Sequence, residues 1–133
     1  MQIPDIVTRY HDAMHRKSAD ALADLYAEDA VHEFPFAFPG LPPRFEGREE
    51  IRAGYRAIWD ASPAQVEEIR DVVTYETTDS EVIVVEHEVL GTVATTGGRF
   101  RVPGLLILRV RNGHIVHCRD YMDATGVAQA RSA

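Results

Sequence analysis

Asp120 lies two residues after Cys118 and two before Met122, so in an extended segment the three share one face. An aspartate on an apolar row costs free energy unless it is paired or protonated, and that makes Asp120 a candidate general acid or base. His32 and Phe34 share a face in the same way, with Glu33 on the other. His32 titrates near neutrality and could exchange a proton with Asp120. Glu86 and Glu88 form an acidic pair on one row with Val82, Val84 and Leu90. Inside a cavity they would raise each other's pKa or draw in Arg99 or Arg101. The alternative puts Ile83, Val85, His87 and Val89 inside, and alternation by itself does not choose.

His11 and His15 stand four apart, as two zinc ligands on a helix would. The residue after the first is Asp12 rather than the glutamate of that motif, and no third ligand is evident. A solvated helix flank and no metal are expected. His114 and His117 have odd spacing, so on a strand they point to opposite faces. Cys118 is the one cysteine, which excludes an intrachain disulfide and leaves a buried free thiol as the default.

The elements that must position these groups fall into two halves. Ile3, Ile6, Tyr10, Ala13 and Met14 recur at helical spacing behind Pro4, and Ser18 is a plausible N-cap for a second helix running to Glu28-Asp29. Ala30 to Phe36 reads as a short strand, followed by a rigid Pro-rich loop through Pro43. Gly47 precedes a third helix with the stripe Ile51, Tyr55, Ile58 and Trp59. Beyond Pro63 the spans 65–75, 81–95, 100–111 and 114–122 are rich in Val, Ile, Thr and Tyr. Asn112-Gly113 between the last two is the strongest hairpin signal in the chain. Three helices followed by a four-stranded meander predict an α+β fold, with helices on one face of a curved antiparallel sheet. The spans 81–90 and 102–110 are apolar on both faces, so something else must cover the second face. A second copy of the chain, in a homodimer, is the simplest candidate.

The chain has 133 residues, 45% hydrophobic and 26% charged, with a formal charge of −7. That is one ordinary globular domain, residues 1–133, large enough to need neither metal nor disulfide. The acidic balance argues against nucleic acid and against an anionic membrane surface. No stretch reads as a signal peptide or a membrane span, so a soluble cytoplasmic protein is expected.

The segment Ala21–Ile51, with Tyr-Ala-Glu-Asp-Ala at 26–30 and Gly-Arg-Glu-Glu-Ile at 47–51, resembles the opening of the nuclear transport factor-like superfamily. The closing segment Arg109–Asp123 is similar to that superfamily's last hairpin, above all in its SnoaL-like branch of polyketide cyclases, limonene epoxide hydrolases and ketosteroid isomerase relatives. The resemblance covers nearly the whole chain. It implies a cone-shaped, cystatin-like α+β barrel with an apolar cavity at its wide end and a dimer interface on the outer sheet face.

The resemblance also implies site residues. The base of the steroid isomerases falls on Phe34, before Pro35, and their second acid on Leu106, so both acids are missing. Their tyrosines match Tyr10 and Tyr55. Of the epoxide hydrolase triad, the aspartates match Asp120 and Glu88, which favours Glu86 and Glu88 inside. The bridging arginine falls on Glu86, and the water-binding tyrosine and asparagine fall on His32 and Phe34, so that triad is broken. The SnoaL-type cyclases need one acid/base on the final strand, and Asp120 matches it.

The expectation is therefore an acid–base enzyme of SnoaL-like type that cyclises, isomerises or opens an epoxide on a small, apolar, oxygenated polyketide or terpenoid, with no cofactor. Asp120 acts as acid/base, His32 and Glu88 assist, and Tyr10 or Tyr55 donates to a substrate oxygen. Phe34, Phe36, Tyr55, Trp59, Glu86, Leu106, Cys118 and Met122 contact the ligand. The alternative is a non-catalytic binding protein of the same fold.

Overall fold

Pro4 in its first turn and the inward stripe Ile6, Val7, Tyr10 and Ala13 make helix α1 (Ile3–Arg16). The computed structural model describes residues 2–36 and 39–132. Lys17 ends α1 in the left-handed region, and its Nζ donates to the carbonyls of Ser62 (3.0 Å) and Ala64 (2.8 Å), tying α1 to the start of the third strand. Ser18 caps α2 (Ala19–Ala23), its Oγ accepting from the Ala21 amide at 3.1 Å. That helix is only five residues long. The chain is already extended by Tyr26, where the helix had been expected to continue to Glu28-Asp29. Strand β1 (Tyr26–Glu33) needs Tyr26, Ala30 and His32 on its buried side.

A short strand β2 (Arg44–Glu46) follows, then α3 (Arg48–Ala61), with Glu49 and Glu50 in its first turn where the helix dipole favours them. The rest of the sheet is β3 (Ala64–Glu76), β4 (Val82–Val93), β5 (Arg99–Arg111) and β6 (His114–Met122). Asn112 and Gly113 both have positive φ (52° and 77°), the mirror-image turn that matches strand twist. A last helix, α4 (Ala124–Ser132), follows β6. Neither β2 nor α4 is part of the sequence expectation.

The sheet runs β2-β1-β6-β5-β4-β3, curved and not closed. All neighbours are antiparallel except β1 and β6, which run parallel with His32 opposite Cys118. The inner side carries Ile83, Val85, Leu106, Leu108, Ile115 and Cys118 against Ile6, Tyr10, Leu22 and Ile51 of the helices. Each fully buried aliphatic side chain there contributes about 1.5–3 kcal/mol of transfer free energy. A second cluster, Val89, Val93, Phe100 and Ala130, lies where α4 crosses β5. No helix of the described residues is long and apolar enough to cross a membrane.

Candidate active site

The parallel β1–β6 pairing brings together residues nearly ninety positions apart. His32 is fully buried beside Cys118, and its Nε2 lies 3.2 Å from Asp120 Oδ2. Helix α3 presents Tyr55 to both partners: its hydroxyl donates to Asp120 Oδ2 at 2.9 Å and lies 2.9 Å from His32 Nε2. The other ring nitrogen, Nδ1, is 2.7 Å from the Tyr26 hydroxyl. Tyr26 is in turn hydrogen-bonded to Tyr10 and Cys118. No buried side-chain nitrogen or oxygen among the described residues lacks a partner. A buried polar network satisfied in this way is rigid, and removing one member is costly.

Electrostatics sets the protonation states. Burial alone would drive the His32 pKa down. The Cys118 sulfur and the Asp120 carboxylate outweigh it and hold the imidazole up to about 10. His32 is therefore an imidazolium at neutral pH, donating to Asp120 from Nε2 and to Tyr26 from Nδ1. Burial pushes the Tyr10, Tyr26 and Tyr55 phenols well above their ordinary value, so all three stay protonated donors. Asp120 Oδ2 is thus held by two groups. Among the described residues nothing bonds Oδ1, which leaves it the oxygen open to a substrate.

Next to this network the concave side of the sheet opens into a cavity of about 600 Å3. Trp59, Ile58, Val89, Phe100, Val102 and Met122 are among its walls, and Val127 and Ala130 of α4 form part of its roof. The network and the cavity share a border. Tyr55 stacks edge-on against Trp59 at 4.9 Å, and Asp120 precedes Met122 by two residues on the inner side of β6.

Several expected residues stand elsewhere. Glu86 and Glu88 do not enter the interior. The inner row of β4 is Ile83, Val85, His87 and Val89. Glu88 lies on the outer face, where Arg101 Nε donates to it at 2.8 Å and Arg70 Nε at 3.2 Å, and these cations lower its pKa. Glu86 is exposed and bonded to Tyr75. Two more carboxylates inside would have lacked a cation of their own, since His32 is already paired with Asp120, and one neutral imidazole is cheaper to bury. Phe36 is 62% exposed and packs on Tyr121, outside the cavity. Tyr10 is buried but bonded to Tyr26, so Tyr55 is the tyrosine that reaches Asp120. Phe34, Leu106 and Cys118 are core: Phe34 stacks on His32 at 4.9 Å, and Leu106 lies opposite Asp120 in the register. Trp59 and Met122 do line the cavity.

His11 is not a solvated flank. It is half-buried, with Nε2 3.1 Å from Nδ1 of the buried His87, while His15 is exposed. Among the described residues no group of three or more His, Cys, Asp or Glu side chains is placed to hold a metal. His87 and Tyr26 were missing from the sequence-derived site. A signal for His87 was present: its row carries one neutral-capable polar group among aliphatics, whereas the other row carries two acids.

Comparison with known proteins agrees with this architecture. The SnoaL-like domain matches residues 7–118. An uncharacterized PhzA/B-like protein of Pseudomonas aeruginosa is 31% identical over 91% of this chain and 84% of its own length. The uncharacterized protein YesE of Bacillus subtilis is 33% identical over 88% and 78%. Among solved structures, a candidate isomerase from Bacillus subtilis superposes with a TM-score of 0.84 at 28% identity, covering 95% of this chain and 89% of that one. A protein of ketosteroid isomerase-like fold from Catenulispora acidiphila, crystallised with trimethylamine, gives 0.76 at 26% identity, covering 97% and 94%. With most of the chain matched and the α+β architecture shared, this protein belongs to the SnoaL-like domain family.

Proposed function

We propose that the protein is an acid–base enzyme acting on a small, apolar, oxygenated molecule of polyketide or terpenoid type, with Asp120 as the group that exchanges a proton with substrate carbon. The observation that carries this reading is the buried Asp120 carboxyl, with Oδ2 fixed by Tyr55 and His32 and Oδ1 unbonded among the described residues. A carboxyl held in this way is preorganised, and water is largely excluded from it. His32 and Tyr55 stabilise the carboxylate once the proton has left. The apolar cavity beside it suits such a ligand, and a candidate polyketide cyclase from Xanthomonas campestris, 25% identical with a TM-score of 0.74, is among the structural relatives.

The test is hydrogen–deuterium exchange at the carbon next to the carbonyl of 2-tetralone, an apolar bicyclic ketone, followed by mass spectrometry in D2O. The protein should accelerate exchange, and Asp120→Asn should slow it by roughly 10²–10⁴-fold. No acceleration by the wild-type protein, or full rate in the Asn variant, would sink the reading.

One observation favours a second reading, a binding protein without turnover: Asp120, His32 and Tyr55 border the cavity but are not on its wall. In that case 2-tetralone binds, it exchanges no faster than in buffer, and Asp120→Asn leaves its affinity unchanged.

A further inference from the structure

We propose that His87 is a second catalytic group of this site, donating from Nε2 to the oxygen of a substrate carbonyl while Asp120 exchanges a proton with the adjacent carbon. The proposal rests on the acid–base reading of Asp120 and adds the part that reading lacks, a donor for the oxygen on which charge develops.

The placement comes from the register. On β5, Gly104 faces His87 of β4 on one side and Met122 of β6 on the other. Glycine leaves this row without a side chain. A Cβ at 104 would lie 3.3 Å from His87 Nε2 and 2.9 Å from the Tyr121 carbonyl. The imidazole therefore lies over Gly104, on the way to β6. Val89, two residues beyond His87, and Met122, two beyond Asp120, both line the cavity. His87 thus faces Met122 across Gly104, and Asp120 is the residue next to Met122 on the inner side of β6, so both lie close to the border of the cavity. The Asp120 charge acts on the His87 ring. Among the described residues nothing bonds His87 Nε2, although the residue is only 6% exposed. Every buried side-chain nitrogen or oxygen among the described residues has a partner, so this unbonded nitrogen keeps accessible surface and is open to a substrate oxygen.

The tautomer follows from the partner. His11 Nε2 and His87 Nδ1 are 3.1 Å apart, so a single proton lies between two neutral rings. Burial, and then the neighbouring His87, lower the His11 pKa to about 4, and burial lowers that of His87, so both rings are neutral near pH 7. The negative Asp120 favours the His87 form whose N–H dipole points toward it, with hydrogen on Nε2 and His11 donating to Nδ1. His11 is then a positioning residue that sets the tautomer.

The step balances. The proton leaves carbon for Asp120 Oδ1, and the C–H pair becomes a carbon–carbon double bond. The carbonyl π pair moves onto oxygen, which accepts from His87 Nε2–H. Return of the proton to a different carbon isomerises the substrate. Attack of the enolate carbon on a second carbonyl of the same molecule closes a ring, and the new alkoxide takes the proton back.

Two measurements on the full chain test this without turnover, so their outcome is separable from that of ketone exchange. Long-range proton–nitrogen NMR of the imidazoles at pH 7 should show His87 neutral with hydrogen on Nε2, and His11→Leu should lose that preference. A protonated His87, or hydrogen on Nδ1, would overturn the proposal, and this measurement needs no His87 variant to fold. The second probe is 2-naphthol, whose oxygen resembles an enol, followed by its fluorescence. His87→Leu should weaken binding by about tenfold, the loss of one good hydrogen bond, and His87→Gln, which keeps a donor, should restore it to within about threefold. Equal affinity in the Leu variant, or no uptake by the wild-type protein, would overturn it.

Discussion

His32 and His11 are buried imidazoles with opposite electrostatic needs. His32 is charged in the fold because Cys118 and Asp120 offset its burial, and its pKa rises from 6.5 to about 10. The folded state therefore binds a proton that the unfolded chain releases above about pH 6.5. That contribution is fully present below pH 6.5 and is lost as pH rises through about 10. His11 is neutral in the fold, with its pKa lowered from 6.5 to about 4 by burial and by His87. Its contribution is present above pH 6.5 and is lost as pH falls through about 4, because the unfolded chain then binds the extra proton. Thermal melts should show stability falling on both sides of a maximum near neutrality. His32→Gln should flatten the alkaline limb and His11→Leu the acid limb. An alkaline limb unchanged in His32→Gln would mean that the imidazole is neutral in the fold.

At the scale of elements, α4 is held by one close approach. A Cβ at Gly126 would lie 2.3 Å from the Arg101 carbonyl oxygen and 2.9 Å from the Val102 Cα, both backbone atoms of β5 that cannot move aside. The Gly126 amide also donates to Asp123 Oδ2 at 3.1 Å, which fastens the start of the helix. Because Val127 and Ala130 roof the cavity, the seating of this helix decides how closed the cavity is. Gly126→Val should lift α4. Amide exchange over 124–132 should then quicken by tenfold or more, while the melting temperature falls by only about 2–8 °C, equivalent to about 1 kcal/mol. Unchanged protection of that segment would show that the helix tolerates the side chain by some other shift.

For the whole molecule, the outer sheet face sets the expectation. Val84, Leu105 and Ile107 lie there beside Val73 and Tyr75 of the edge strand, which are 43% and 46% exposed. Ion pairs rim this patch, Glu88 with Arg70 and Arg101 and Glu81 with Arg109 and Arg111, together with the polar contact of Glu33 with His117 at 3.1 Å. A partly apolar face within a charged rim has the anatomy of an interface core. A homodimer through this face is the expected state, and sedimentation at micromolar concentration checks it. Ile107→Glu should shift the protein to monomer, and a wild-type protein that sediments only as monomer would remove the argument.

Features that rest on local periodicity can be read along the chain without its tertiary contacts. The stripe of α1, the Ser18 cap, the Asn112-Gly113 turn and the alternation of β6 that buries Cys118 and Asp120 were all legible, because each rests on neighbours within a few residues. The three-residue β2 and the weakly amphipathic α4 carried too little pattern to stand out. α2 stops short of its expected end because Tyr26 is needed inside as the hydrogen-bond partner of His32. On β4 the twofold period is symmetric under a one-residue slip and does not choose a face; the epoxide hydrolase resemblance favoured Glu86 and Glu88 on the side that belongs to His87. Only the helices covering one face, and Arg70 and Arg101 arriving from the adjacent strands, break that symmetry. The site itself is a product of the parallel β1–β6 pairing. His32 and Asp120 were each suspect alone, but their hydrogen bond, its relay through Tyr55 and the His11–His87 pair are contacts between residues 23 to 88 positions apart, which no local pattern encodes.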